Sequence, residues 1–176
     1  MKKLGILSAL VVLFMTTALQ AQNKDAKLIS DAKIAKEKMI AEDPGLKTFF
    51  DKSEGYVIFP NVGKGGFIIG GASGNGVVYD GGQIIGMANL KKIDVGLQAG
   101  GQAISEVIFF ESQQSLEDFK AGNFEFAAQA SAVAVKSGKA ENAKYEDGVA
   151  VFAMPKAGLM AEASVGGQKF SFKPTK

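Results

Sequence analysis

The sequence predicts an α+β fold: N-terminal helices on a strongly curved, mostly antiparallel β-sheet of about eight strands, barrel- or sandwich-like, with one short helix in the middle. Three observations predict it. Helical periodicity before residue 55 gives way to short β-prone runs from Tyr56 onward. Glycines recur inside those runs rather than only between them, as strongly curved sheets require at their corners. The strands also follow one another without the regular helix alternation of a parallel sheet.

The elements follow in chain order. MKKLGILSALVVLFMTTALQAQN carries Lys2 and Lys3, an apolar run from Leu4 to Phe14, then small and polar residues to Ala21. This is the pattern of a cleaved secretory leader over 1–21, because the run is short of the ~20 residues a membrane span needs. The helical segment is 22–55. Leu28, Ala32, Ala35 and Met39 recur at helical spacing, with Ile29 and Ile40 on one shoulder. Asp43 and Pro44 suit a new helix start, Leu46, Phe49 and Phe50 would face inward, and Gly55 would end it. The glycine-rich β domain is 56–176, and 22–176 forms one domain. YVIFPNV is a strand closed by Pro60. FIIGG and GVVYD read as two strands joined at SGNG, with Asn75-Gly76 tolerating a tight turn. QIIGMANL, IDVGLQAGG and AISEVIFFE continue as strands. SQQSLEDFKAG is a short helix, capped at Ser115 with Asp118 and stopped at Gly122. FEFAAQASAVAV returns to strand, KSGKAENAKYEDG is a polar loop, and GVAVFAMP and GLMAEASVGGQKFSF are two final strands.

Composition excludes several chemistries. The 176 residues contain no histidine, cysteine or arginine. The commonest general base, thiol chemistry, disulfides and zinc-thiolate sites are therefore absent, as is the planar fork that reads phosphate and guanine. Basic residues number 20 and acidic residues 18. Losing Lys2 and Lys3 with the leader makes the mature chain formally neutral, without general attraction for nucleic acid.

Residues 63–82, GKGGFIIGGASGNGVVYDGG, hold nine glycines. A P-loop would need a glycine where Ile58 stands and Ser or Thr where Gly65 stands, and the dinucleotide fingerprint fails as well. These glycines serve curvature. Their order, GYVIFPNVGKGGFIIGG through LQAGGQAISEVIFF and AGNFEFAAQASAVA to GLMAEASVGG, resembles the SYLF domain over roughly residues 28–173. Its most specific blocks are Phe59–Phe67, Gly96–Gln102 and Gly158–Ala161. The family includes yeast actin-patch proteins, animal proteins pairing the domain with a Src-homology-3 domain, plant proteins pairing it with a FYVE domain, and many exported bacterial proteins. The resemblance implies a lipid- and membrane-binding module with no chemistry of its own, using an amphipathic N-terminal segment and basic surface residues. The chain departs from the eukaryotic pattern at Asn75, where many members are basic, and at MPKAG, where many have an arginine-rich turn. Phosphoinositide preference and actin binding are not carried over.

The candidate lipid-binding residues are Lys24, Lys27, Leu28, Lys33 and Lys36 of the first helix, Lys64 among the glycines, and Lys156 before the final strand. Asp25, Asp31 and Glu37 lie among the helix lysines, so the same helix also fits plain docking on the sheet, and Lys64 also fits a solvated turn. Small side chains over Ala127–Val135 suit close packing or room for an apolar ligand. The expectation is an exported, non-catalytic lipid-binding module at membrane surfaces of the cell envelope, periplasmic or extracellular. It needs no cofactor, no metal and no nucleic acid. The alternative is a structural or self-associating protein with a protein partner or a second copy of itself. An enzyme is the weakest reading: Glu141, Glu146 and Asp147 sit in a polar loop without EF-hand spacing, and Ser73 lacks a nucleophile-elbow pattern.

Overall fold

The computed structural model describes residues 23–63, 71–93, 103–126, 130–157 and 162–175. The leader, Lys64 and the IDVGLQAGG segment beyond Ile93 lie outside them. Helix α1 covers residues 23–42 and α2 covers Leu46–Lys52. The strands are β1 (Gly55–Gly63), β2 (Gly71–Asp80), β3 (Gln83–Ile93) and β4 (Ile104–Phe110). Helix α3 (Gln113–Lys120) then precedes β5 (Ser131–Ala134), β6 (Val149–Pro155), β7 (Glu162–Ser164) and β8 (Gln168–Pro174).

These strands, one of them only three residues long, form one sheet in the order β7-β5-β6-β4-β1-β2-β3-β8. Every described pairing is antiparallel except β5 with β6. The two end strands of that order are consecutive in the chain, separated only by residues 165–167. Four backbone steps span at most ~15 Å. Seven flat strand spacings would span ~33 Å. The sheet therefore curls. No described ladder joins β7 to β8, so it is neither a closed barrel nor a two-sheet sandwich. Two residues reach across near this gap: Glu125 pairs with Lys169, and Val165 N–H donates to the Ala130 carbonyl at 2.9 Å.

Strand alternation sorts the core into two layers. Inside the curl lie Val57, Phe59, Val62, Ile108, Phe110 and Phe170, closed off by Leu116 and Phe119 of α3. Phe119 packs on Phe110 and Phe170 with ring centroids 5.0 and 5.2 Å away. On the outer face, Tyr56, Ile58, Val107, Phe109 and Phe152 meet Ala32, Ala35 and Met39 of α1 and Leu46, Phe49 and Phe50 of α2. The central strands are thus buried on both sides, which explains the continuous apolar runs YVIF and VIFF.

Several local expectations are corrected. SGNG is not a turn; β2 runs straight through it. A Cβ on Gly76 would lie 2.6 Å from Phe59 Cδ1 and 2.9 Å from the Ile58 carbonyl, so this glycine makes room for the core. The turn comes at Gly81-Gly82, with φ of +51° and +79°. Pro60 does not close β1 but sits in a bulge, where proline's missing N–H is tolerated. Asp43 does not cap α2, whose N-cap is Gly45. It is buried instead, accepting from Gly45 N–H at 3.1 Å, Gly138 N–H at 3.3 Å and Ala140 N–H at 2.8 Å. Helix α2 ends at Ser53, and Gly55 opens β1. Ser112, not Ser115, caps α3 by accepting from Ser115 N–H at 3.3 Å. The last apolar stretch breaks into β7 and β8 at Gly167, whose φ is +71°.

Candidate functional site

Helix α1 presents its alanine-methionine stripe to the sheet, and this fixes where its lysines go. Ala32 and Met39 are fully buried. Lys24, Lys27 and Lys33 are exposed. Lys27 Nζ pairs with Asp31 Oδ2 at 2.7 Å. Leu28 is half-buried against the outer core. Lys36 turns inward: its Nζ donates to Tyr56 Oη at 3.0 Å and lies 4.3 Å from the Phe50 ring centroid. Burial lowers its pKa, with Asp51 raising it and Lys47 lowering it further. Lys36 is therefore less exposed than Lys24, Lys27 and Lys33, with its ammonium held against Tyr56 and Phe50.

Lys156 is brought beside α1. It shares shallow clefts with Lys38 and with Ile34, the one large apolar side chain that is clearly exposed among the described residues, at 47%. Burial and Lys38 both lower the Lys156 pKa, while Asp31 raises it. Ile34, Lys38 and Lys156 line one of these clefts together with the Asp31 carboxylate.

The pairing of β3 with β8 assembles a second cationic surface that sequence reasoning missed. Lys91 lies directly opposite Lys169, and Met87 opposite Lys173. Phe170 and Phe172 point into the curl, so Lys169, Ser171 and Lys173 face outward with Lys91. All four are exposed. The alternation in QKFSFK was a signal for one shared face; the partner strand was not. Glu125 is the acidic neighbour, 3.6 Å from Lys169.

Catalytic and metal candidates are not brought together. Ser73 is exposed on β2, and Glu141, Glu146 and Asp147 are exposed around the loop before β6. Among the described residues no group of three or more metal-ligating acids could hold an ion. No helix there is long and apolar enough to cross a membrane.

The family model described as Ysc84, "Las17-binding protein actin regulator", matches residues 91–175, from the end of β3 through β8. The matched segment is thus similar to the Ysc84 (SYLF) family that this model describes. The match contains the Gly96–Gln102 and Gly158–Ala161 blocks, while the Phe59–Phe67 block precedes it. A wider likeness is to Beta cell expansion factor A of Aeromonas veronii, 28% identical over 169 residues. That alignment covers 86% of this chain and 64% of the relative, so the chain spans just under two thirds of that protein's length.

Proposed function

We propose that the chain is a non-catalytic, exported module that associates with anionic lipid surfaces through its outer face. The observation that carries this reading is the cross-strand pair Lys91–Lys169, with Lys173 further along the same exposed face. Like charges directly opposite on a sheet repel, and an external anion relieves that repulsion. Lysines near an anionic leaflet contribute ~1 kcal/mol each. Lys38 and Lys156 around Ile34, with Lys24, Lys27 and Lys33 along α1, extend the cationic surface. Likeness to the SYLF family supports a lipid-binding module, and the leader pattern supports export to the envelope, in the periplasm or outside the cell.

Vesicle co-sedimentation tests the proposal. The chain should bind anionic vesicles at low salt, release them at high salt, and ignore neutral ones. Lys91→Glu with Lys169→Glu should weaken binding at least ~10-fold, given ~1 kcal/mol per lysine. Equal binding by the double variant would refute this face as the site.

A second reading is supported by the family description, which names a protein-binding regulator. A stable oligomer or captured partner with no vesicle binding would favour it.

A further inference from the structure

The outer face of the sheet also carries a cleft of a different chemical character. Asn61 on β1 lies opposite Asn75 on β2, and Asn75 lies opposite Asn89 on β3. Opposed residues share a face, so three carboxamides form a row across three strands, roughly 10 Å from end to end. The row is not the default product of alternation. Phe59 and Val62 both point into the core. Simple alternation from Phe59 would turn Asn61 inward as well. The bulge at Pro60 adds a residue and brings Asn61 out to the surface. The same bulge returns Val62 to the core, and it sets three asparagines, a residue disfavoured in strands, in one exposed row.

This row floors a cleft of about 440 Å³ between the sheet and the N-terminal half of α1. Ser73 extends it along β2, while Leu28 and Pro60 supply apolar wall. Asn89 Nδ2 donates to Asn75 Oδ1 at 3.1 Å and to the Gly74 carbonyl at 3.3 Å. That fixes the Asn75 amide with its own two N–H donors left over. The Asn61 amide and the Ser73 hydroxyl have no protein partner among the described residues. Asp31 is the charged residue lining the cleft, and Lys27 neutralises it from the solvent side. Apart from Asp31 the described lining is uncharged, and Lys91 lies just outside it, across from Ser73.

We propose that this cleft binds a neutral saccharide. Carboxamides and a hydroxyl each donate and accept, matching sugar hydroxyls that do the same. The apolar wall suits a sugar's C–H face, and a few placed polar groups in a concavity are how small-ligand sites gain specificity. The sugar is either free or the headgroup of a glycolipid, which would place it beside the lysine face. The site is independent of that face in chemistry.

The test is saturation-transfer NMR and calorimetry on the full chain with a panel of neutral mono- and disaccharides. A parallel arm uses neutral vesicles with and without a neutral glycolipid. Saturable binding of a soluble sugar, or binding only to the glycolipid vesicles, supports the site and tells the two sources apart. Asn75→Ala and Asn61→Ala, both at exposed positions, should each weaken binding roughly five- to tenfold. Lys169→Glu, one strand further from Ser73, should leave soluble-sugar binding unchanged. Silence in both arms, or binding indifferent to both asparagine variants, overturns the proposal. The soluble-sugar arm involves no membrane, so its failure is separate from any failure of the lysine face.

Discussion

Glu106 shows how one residue can set the pH response of the fold. It is fully buried inside the curl, and its Oε2 accepts from Gln168 Nε2 at 3.0 Å. Burial pushes its pKa up to about 7, against smaller lowering effects of the Gln168 hydrogen bond and of Lys92. The folded state therefore holds this proton more tightly than the unfolded chain, whose carboxyl titrates near 4.5. Its stabilising contribution is full below pH 4.5 and is lost as pH rises through about 7, a change of ~3 kcal/mol. Denaturant melts at pH 5 and pH 8 should show that loss, and Glu106→Gln should flatten it. Gly76 is a second single-residue constraint. Gly76→Ala drives a methyl into Phe59 and should cost ~1–3 kcal/mol. Asp43→Ala would strand three backbone N–H groups and detach the 138–140 loop from the start of α2, a loss of ~2–4 kcal/mol in chemical denaturation. In the sequence Asp43-Pro44 looked like a helix cap, because two of the three donors to Asp43, at Gly138 and Ala140, lie almost a hundred residues away.

At the scale of elements, α1 separates stability from surface binding. Its buried stripe was legible from the spacing of Leu28, Ala32, Ala35 and Met39, and the helix docks with that stripe against Phe109 and its neighbours. Met39→Ala should cost ~2–5 kcal/mol through the cavity it leaves. Lys36→Ala should also lower the melting temperature while leaving vesicle affinity unchanged, since its ammonium rests on Phe50 and Tyr56. Charge reversal at Lys38 and Lys156 should do the opposite: little change in melting, weaker vesicle binding. The helix lysines alone could not be sorted this way. Helical phase places Lys36 next to the stripe, but only the rings contributed by α2 and β1 decide that it folds under.

For the whole molecule, curvature is the organising feature. Edge strands β7 and β8 are three residues apart in the chain, and that connection forces the sheet to wrap around Phe59, Phe110, Phe119 and Phe170. On its outer side, beyond the part of β2 where Val77 is buried, the sheet presents the asparagine row beside the exposed Lys91, Lys169 and Lys173. Salt should therefore weaken membrane association without altering binding in the asparagine cleft, a contrast measurable by running co-sedimentation and calorimetry at low and high ionic strength.

The amino-acid sequence by itself determined the α+β class, the buried faces of α1, α2 and α3, and most strand cores. Those features rest on periodicity, which is local. It also carried the likeness to the SYLF family, through glycine blocks whose order is a property of the chain. It misread SGNG, because a glycine that seats Phe59 looks the same in sequence as one that makes a turn. The Lys91–Lys169 pair, the Asn61–Asn75–Asn89 row and the Glu106–Gln168 contact were decided by tertiary structure alone. Each joins residues on different strands, and strand register is set by a bulge, a curl and a distant edge rather than by neighbours in the chain.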